Sequence, residues 1–165
     1  MTPRQLFVAS FVICCGLIGT ALYFQYVDGL DPCPLCILQR IAVIAIGLVS
    51  LAGALHNPRQ WSIRVYALLV LIAAGSGLTV AGRHVWLQHL PADQVPACGP
   101  GLDYILDVFP LAEALQLIFR GSGECATISW TLAGLSMPGW MAVIFTAFVL
   151  GSLAILLAPW RVLRR

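Results

Sequence analysis

Cys33-Pro34-Leu35-Cys36-Ile37-Leu38-Gln39-Arg40 opens a mostly apolar run that continues to about Leu55. A helix needs about 20 such residues to cross the hydrocarbon core of a bilayer, and the run from Cys36 to Leu55 meets that length. The same stretch sets a cysteine pair and an arginine at the mouth of the span. Three other stretches are long and apolar enough: about Leu6 to Tyr26, Ser62 to Gly82 with Arg64 at its inner end, and Gly139 to Ala158. The expected fold is all-α and integral to a membrane: a bundle of four transmembrane helices in a single domain over residues 1–165. The outer loops are expected at about 27–32 and 84–138.

Composition supports lipid as the solvent. Of the 165 residues, 60% are apolar and 10% charged, against roughly 25% charged in an ordinary soluble domain. Too little polar surface is available to cover a water-soluble globule. The net charge of +2 and the lack of a basic cluster argue against a nucleic-acid partner. The first span has a basic start at Arg4 and could be taken for a secretory leader. It exceeds the ~7–15 apolar residues of such a leader and no small-residue cleavage site follows it, so it is expected to remain as a span.

Charge sets the direction. Arg4 precedes the first span, Arg59 and Arg64 flank the short link after the second, and Arg161, Arg164 and Arg165 follow the fourth. Four crossings bring all of them to one side, which the positive-inside rule makes cytoplasmic. Asp28, Asp31, Asp93, Asp103, Asp107, Glu113 and Glu124 fall on the other side. Both termini are therefore expected to be cytoplasmic and the long loop outside. That loop is the only part large enough to recognise a protein partner.

Four of the six cysteines face the outer, oxidising side, where disulfides persist: Cys33 and Cys36 at the mouth of the second span, and Cys98 and Cys125 in the long loop. A thiolate at a helix start gains from the helix dipole and from unpaired N–H groups, which makes it a ready nucleophile or leaving group. Pro34 suits the first turn, where its missing N–H costs nothing. Arg40 shares a helix face with Cys36 and favours a thiolate there. The alternatives are static bridges or a zinc site made from all four. Zinc sites use tighter ligand spacing, and the distance between Cys98 and Cys125 suits a loop-closing disulfide better, so no metal is expected. Redox chemistry explains Arg40, which a static bridge does not. Cys14 and Cys15, inside the first span, read as packing residues.

Arginine is costly inside the hydrocarbon. Arg40 lies a turn inside the second span, and Arg83 and His84 stand at the outer end of the third. Snorkelling to the headgroups serves Arg83 as well as function does. Arg40 and His84, with Cys36 and apolar walls, describe a site for a hydrophobic two-electron acceptor such as a quinone, whose carbonyl oxygens accept hydrogen bonds from these donors.

At this point the chain resembles a known family, the bacterial disulfide bond formation protein B (DsbB) family. The resemblance rests on the four spans, Cys33-Pro34-Leu35-Cys36 with Gln39-Arg40, His84-Val85-Trp86-Leu87-Gln88, Cys98, Gly123-Glu124-Cys125, Trp130, and Leu135-Ser136-Met137-Pro138-Gly139-Trp140. It implies a thiol oxidoreductase of the bacterial inner membrane that reoxidises a DsbA-like periplasmic thiol oxidase and passes the electrons to ubiquinone or menaquinone. By motif position, Cys98 would be attacked by the reduced partner and Cys98–Cys125 would be the exchanged disulfide. Cys33–Cys36 would reoxidise that pair, and Cys36 would face the quinone with Arg40 and His84 as quinone contacts. The stretch from Cys98 to Cys125 is somewhat longer than the family's pattern, and the Cys14-Cys15 pair lies outside it.

In the outer loop, Asp107 is expected to cap a short helix, with Pro110 in its first turn and Gly121 at its end. Leu111, Leu115 and Ile118 fall on one face, the pattern of a helix lying in the membrane interface; packing against the bundle is the alternative. Two other functions compete. Vitamin K epoxide reductase relatives share the helix count and the C-x-x-C but place that motif late in the chain, whereas here it opens the second span. A membrane scaffold with static outer disulfides leaves Arg40 unexplained.

Overall fold

The computed structural model describes residues 3–58, 61–91, 93–95, 104, 107–121 and 123–158. In chain order the elements are α1 (Pro3–Tyr26), α2 (Pro34–His56), α3 (Trp61–Gln88), α4 (Leu111–Arg120), α5 (Gly123–Ala126), β1 (Thr131–Leu132), β2 (Leu135–Ser136) and α6 (Met137–Leu157). Helices α1, α2, α3 and α6 are each long and apolar enough to cross a membrane.

Proline starts two of them. Cys33 is the N-cap of α2 in extended backbone and Pro34 follows it; Ser136 does the same for α6 ahead of Pro138. In both cases proline occupies the first turn, where its absent N–H breaks no helix bond. Helix α2 ends at Asn57 in the left-handed conformation, its N–H donating to the Gly53 carbonyl at 3.1 Å.

Helices α2 and α3 form the inner pair. Within their most apolar windows 39% and 33% of residues are buried, against 11% in both α1 and α6, so the outer two offer most of their apolar surface to lipid. Packing runs from α1 to α2, from α2 to α3 and from α3 to α6. Among the described residues no comparable contact closes α1 onto α6. The core is centred on Val43, Ile46, Ala74, Ala81 and Phe145. Phe145 is fully buried because Gly77 gives it room: a Cβ at that position would stand 2.5 Å from the ring. Cys14 is buried against Gly47, which agrees with packing. Cys15, one residue on, is exposed.

The two ends of the bundle differ. At one, Arg64 donates to the Ala158 carbonyl at 2.9 Å and the Tyr66 hydroxyl lies 2.9 Å from His56 Nδ1. At the other, a second cluster unites Cys33, Leu35, Val80, Leu87, Ile118 and Cys125. Helix α3 runs to Gln88, past the expected end at Gly82, and so takes in Arg83 and His84. No proline interrupts it before Pro91, and Val80, His84 and Leu87 form a buried stripe at helical spacing, so burial favours extending the helix.

Helix α4 exists, but Pro110 rather than Asp107 stands at its N-cap and no side chain caps it. A proline there fixes extended backbone ahead of Leu111, which starts the helix without an acceptor. Gly121 ends it at φ +81°. Ile118 is buried at the end of the bundle while Glu113 and Phe119 are exposed. The Leu111 and Leu115 side chains lie outside the described residues. Arg83 donates from Nε to the Phe119 carbonyl at 3.3 Å and stacks 4.2 Å over the Trp86 ring, so it ties α4 to α3.

Candidate thiol–disulfide site

The site is built where α2 begins. Cys33 lies at the N-cap and Cys36 in the first turn, with their sulfurs 3.0 Å apart. Helix α3 brings His84 alongside, its Nε2 3.8 Å from Cys33 Sγ. Gln39, one turn after Cys36, places its amide nitrogen 3.2 Å from His84 Nδ1. With the amide donating to Nδ1, the ring proton sits on Nε2 and points at the Cys33 sulfur. Gln39 and His84 are 4% and 3% exposed, so this contact satisfies two polar groups that would otherwise be costly to bury.

The long loop returns to the same place. Helix α5 carries Cys125, fully buried, and its sulfur, that of Cys33 and a His84 ring nitrogen all lie within 4.8 Å of one another. Residues far apart in sequence thus converge on one buried point. Cys98 lies outside the described residues. No disulfide joins the described cysteines.

Next to the sulfurs is a cavity of about 260 Å³. Its walls include Leu17, Ile18 and Phe24 from α1, Cys36, Gln39, Arg40 and Val43 from α2, His84 and Gln88 from α3, and Met141 and Ile144 from α6. It occupies the gap that packing leaves between α1 and α6. Arg40 donates through Nη1 to Gln25 Oε1 and through Nη2 to the Ala21 carbonyl, the latter at 3.0 Å. The guanidinium is therefore held at the wall rather than snorkelling. The hairpin of β1 and β2, with Thr131 opposite Ser136 and Leu132 opposite Leu135, borders the cavity through Leu132. Trp130 packs on Phe24 with ring centroids 5.4 Å apart, Trp140 donates to the Leu132 carbonyl at 3.0 Å, and Ser136 donates to Gln88 Oε1 at 2.6 Å.

Comparison with known proteins agrees with this geometry. The family model described as "Disulfide bond formation protein DsbB" matches residues 3–155. The chain is 57% identical to Disulfide bond formation protein B of Nitrosococcus oceani over 88% of its own length and 86% of the relative's. It is 52% identical to the Marinobacter nauticus protein of that name, over 95% and 94%, and 51% identical to that of Saccharophagus degradans, over 98% and 94%. The chain belongs to the DsbB family. It is accordingly a multi-pass membrane protein of disulfide bond formation, with the thiol oxidoreductase role that the name implies.

Within this DsbB-family chain the structure gathers Cys33, Cys36, Arg40, His84 and Cys125. His84 borders the cavity, but its ring nitrogens face Cys33 and Gln39. Reading the residues singly passed over Gln39 as a partner for His84 and Gln25 as a partner for Arg40. The signal for Gln39 was present, since a polar residue inside a span, on the face that carries a cysteine, needs an explanation. Gln25 gave none, because its role depends on how α1 packs on α2.

Proposed function

We propose that the protein is a quinone-dependent thiol:disulfide oxidoreductase. It takes two electrons from a reduced DsbA-like periplasmic C-x-x-C protein, moves them through Cys98–Cys125 and Cys33–Cys36, and delivers them to ubiquinone or menaquinone. The observation that carries this reading is the junction of sulfurs. Cys125 lies within 4.8 Å of Cys33, Cys36 is 3.0 Å from Cys33, and Cys36 borders the cavity.

Each exchange is a thiolate displacement at sulfur. The partner's thiolate attacks Cys98 and Cys125 leaves. The Cys125 thiolate attacks Cys33 and Cys36 leaves as a thiolate at the cavity wall. The partner's second thiol then displaces Cys98 and the partner departs oxidised. Cys98 displaces Cys33 from Cys125, which restores the loop disulfide and leaves Cys33 and Cys36 as a dithiol. Closing that pair to a disulfide releases two electrons and two protons, for which a quinone held at the cavity would be the acceptor.

The residues fit such a group. The cavity is apolar, lined by both α1 and α6, which pack little against each other, and bordered by Cys36 and Arg40. Of the five N–H donors of a guanidinium, two are used on α1, which leaves others for a carbonyl oxygen. His84 Nε2 faces Cys33 and, when it carries the ring proton, stabilises negative charge on that sulfur during exchange. In a bacterial inner membrane, the placement of Arg4, Arg64 and the C-terminal arginines supports both termini cytoplasmic and the sulfur junction periplasmic.

The half-reaction tests this reading. Chemically reduced Cys98→Ser protein, freed of reductant and mixed anaerobically with a soluble ubiquinone analogue, is expected to form one Cys33–Cys36 disulfide per quinone reduced. A dithiol that persists beside excess quinone would contradict it.

A further inference from the structure

The sulfur junction has a second chemical capacity. Cys33, His84 and Cys125 are all buried, and their sulfur and nitrogen atoms lie within 4.8 Å of one another. Cys36 places a third sulfur 3.0 Å from Cys33. Two or three thiolates with one imidazole form the donor set that soft or borderline d¹⁰ cations select. Linear spacing argues against such a site, because its ligands come from α2, α3 and α5; only the fold brings them together.

We propose that the fully reduced protein binds a thiophilic metal ion of the Zn²⁺ class through Cys33, Cys125 and His84, with Cys36 as the available fourth ligand, and that this binding arrests disulfide exchange. Binding releases the protons of the thiols that coordinate and transfers no electrons. Ligation uses His84 Nε2, the nitrogen nearest Cys33. The ring proton then moves to Nδ1, where Gln39, 3.2 Å away, accepts it by turning its amide oxygen inward. An outer partner of this kind fixes the tautomer of a metal-bound histidine. A disulfide at Cys33 or Cys125 removes the ligands, so the site exists only in the reduced state. An ion held there ties Cys125 and Cys33 to the metal and keeps either from attacking or being attacked. Binding itself needs no quinone and no partner and so stands or falls separately from the function proposed above, while the arrest of exchange rests on that reading.

The test uses the full-length protein in detergent micelles, reduced anaerobically with a phosphine, and titrated with Zn²⁺ against a chromophoric chelator. Reduced wild type is expected to bind one ion and oxidised wild type none. Cys98→Ser, which leaves all the proposed ligands in place, should bind like wild type. Cys125→Ser and His84→Ala should each bind about tenfold or more weakly, and Gln39→Leu by about tenfold. Alkylation followed by mass spectrometry gives a readout on wild type alone: Zn²⁺ should protect Cys33 and Cys125 but not Cys15. Cd²⁺ in place of Zn²⁺ should give the ultraviolet charge-transfer band of thiolate ligation. Wild-type affinity in both Cys125→Ser and His84→Ala, or no protection of Cys125 by Zn²⁺, would overturn the proposal and leave a simple Cys33–Cys36 chelate.

Discussion

Arg40 shows how one side chain can serve a helix and a site at once. Its bonds to Gln25 and to the Ala21 carbonyl offset the cost of a charge at membrane depth and fix the guanidinium at the cavity wall. A hydrogen bond to a charged group contributes about 1.5–3 kcal/mol. Arg40→Ala is therefore expected to raise the KM for quinone by roughly tenfold to a hundredfold, with the KM for the reduced protein donor unchanged. Steady-state kinetics with each substrate varied in turn check this, and equal quinone constants would remove Arg40 from the quinone site. Cys14 makes the opposite case. It is buried against Gly47, on α1 at the level of the core and away from the sulfur junction, so Cys14→Ala with Cys15→Ala should retain most of the activity. Loss of turnover in that double variant, with its helical circular dichroism intact, would give the pair a role that packing does not.

At the scale of elements, close approach between helices is set by small residues, and the α3–α6 contact depends on one of them. Gly77→Ala would bring a methyl group within 2.5 Å of the fully buried Phe145 ring. Overpacking of this kind costs about 1–3 kcal/mol, and it should lower the thermal midpoint in detergent while leaving the cysteines intact. An unchanged midpoint would mean that α6 can shift away freely. Gly121 acts on the loop. Its positive φ and the Leu87 side chain beside it leave no room for a Cβ, so Gly121→Ala should displace α5 and Cys125 from Cys33. Electron transfer from the partner should slow, while the half-reaction of Cys33 and Cys36 with quinone stays near wild type. Helices of this kind are legible from sequence because lipid requires about 20 apolar residues per crossing. Their ends are less so. His84 belongs to α3 because it is buried against α2 and α5, and no local signal records that burial.

For the whole molecule, the four spans and the motif at Cys33–Cys36 followed from length, apolarity and cysteine placement. The meeting of Cys125 with Cys33 was implied only by the family resemblance, and the place of His84 beside both sulfurs was not implied at all, because a loop-borne cysteine can be located only once α4 is anchored by Ile118 and Arg83. The cavity lined by α1 and α6 was equally hidden, since it depends on which helices pack and which do not. These features line up along the proposed path: partner, loop cysteines, C-x-x-C, quinone. The most direct measurement is the stoichiometry of the complete reaction. Purified protein is mixed anaerobically with excess reduced periplasmic C-x-x-C oxidase and a limiting ubiquinone analogue, and quinol and oxidised partner are counted together. The account predicts one partner disulfide formed for each quinone reduced, with both products abolished by Cys36→Ser and by Cys98→Ser. Quinone that stays oxidised while Cys33, Cys36, Cys98 and Cys125 remain in disulfides throughout would contradict it, and would reduce the sulfur junction to a structural bridge.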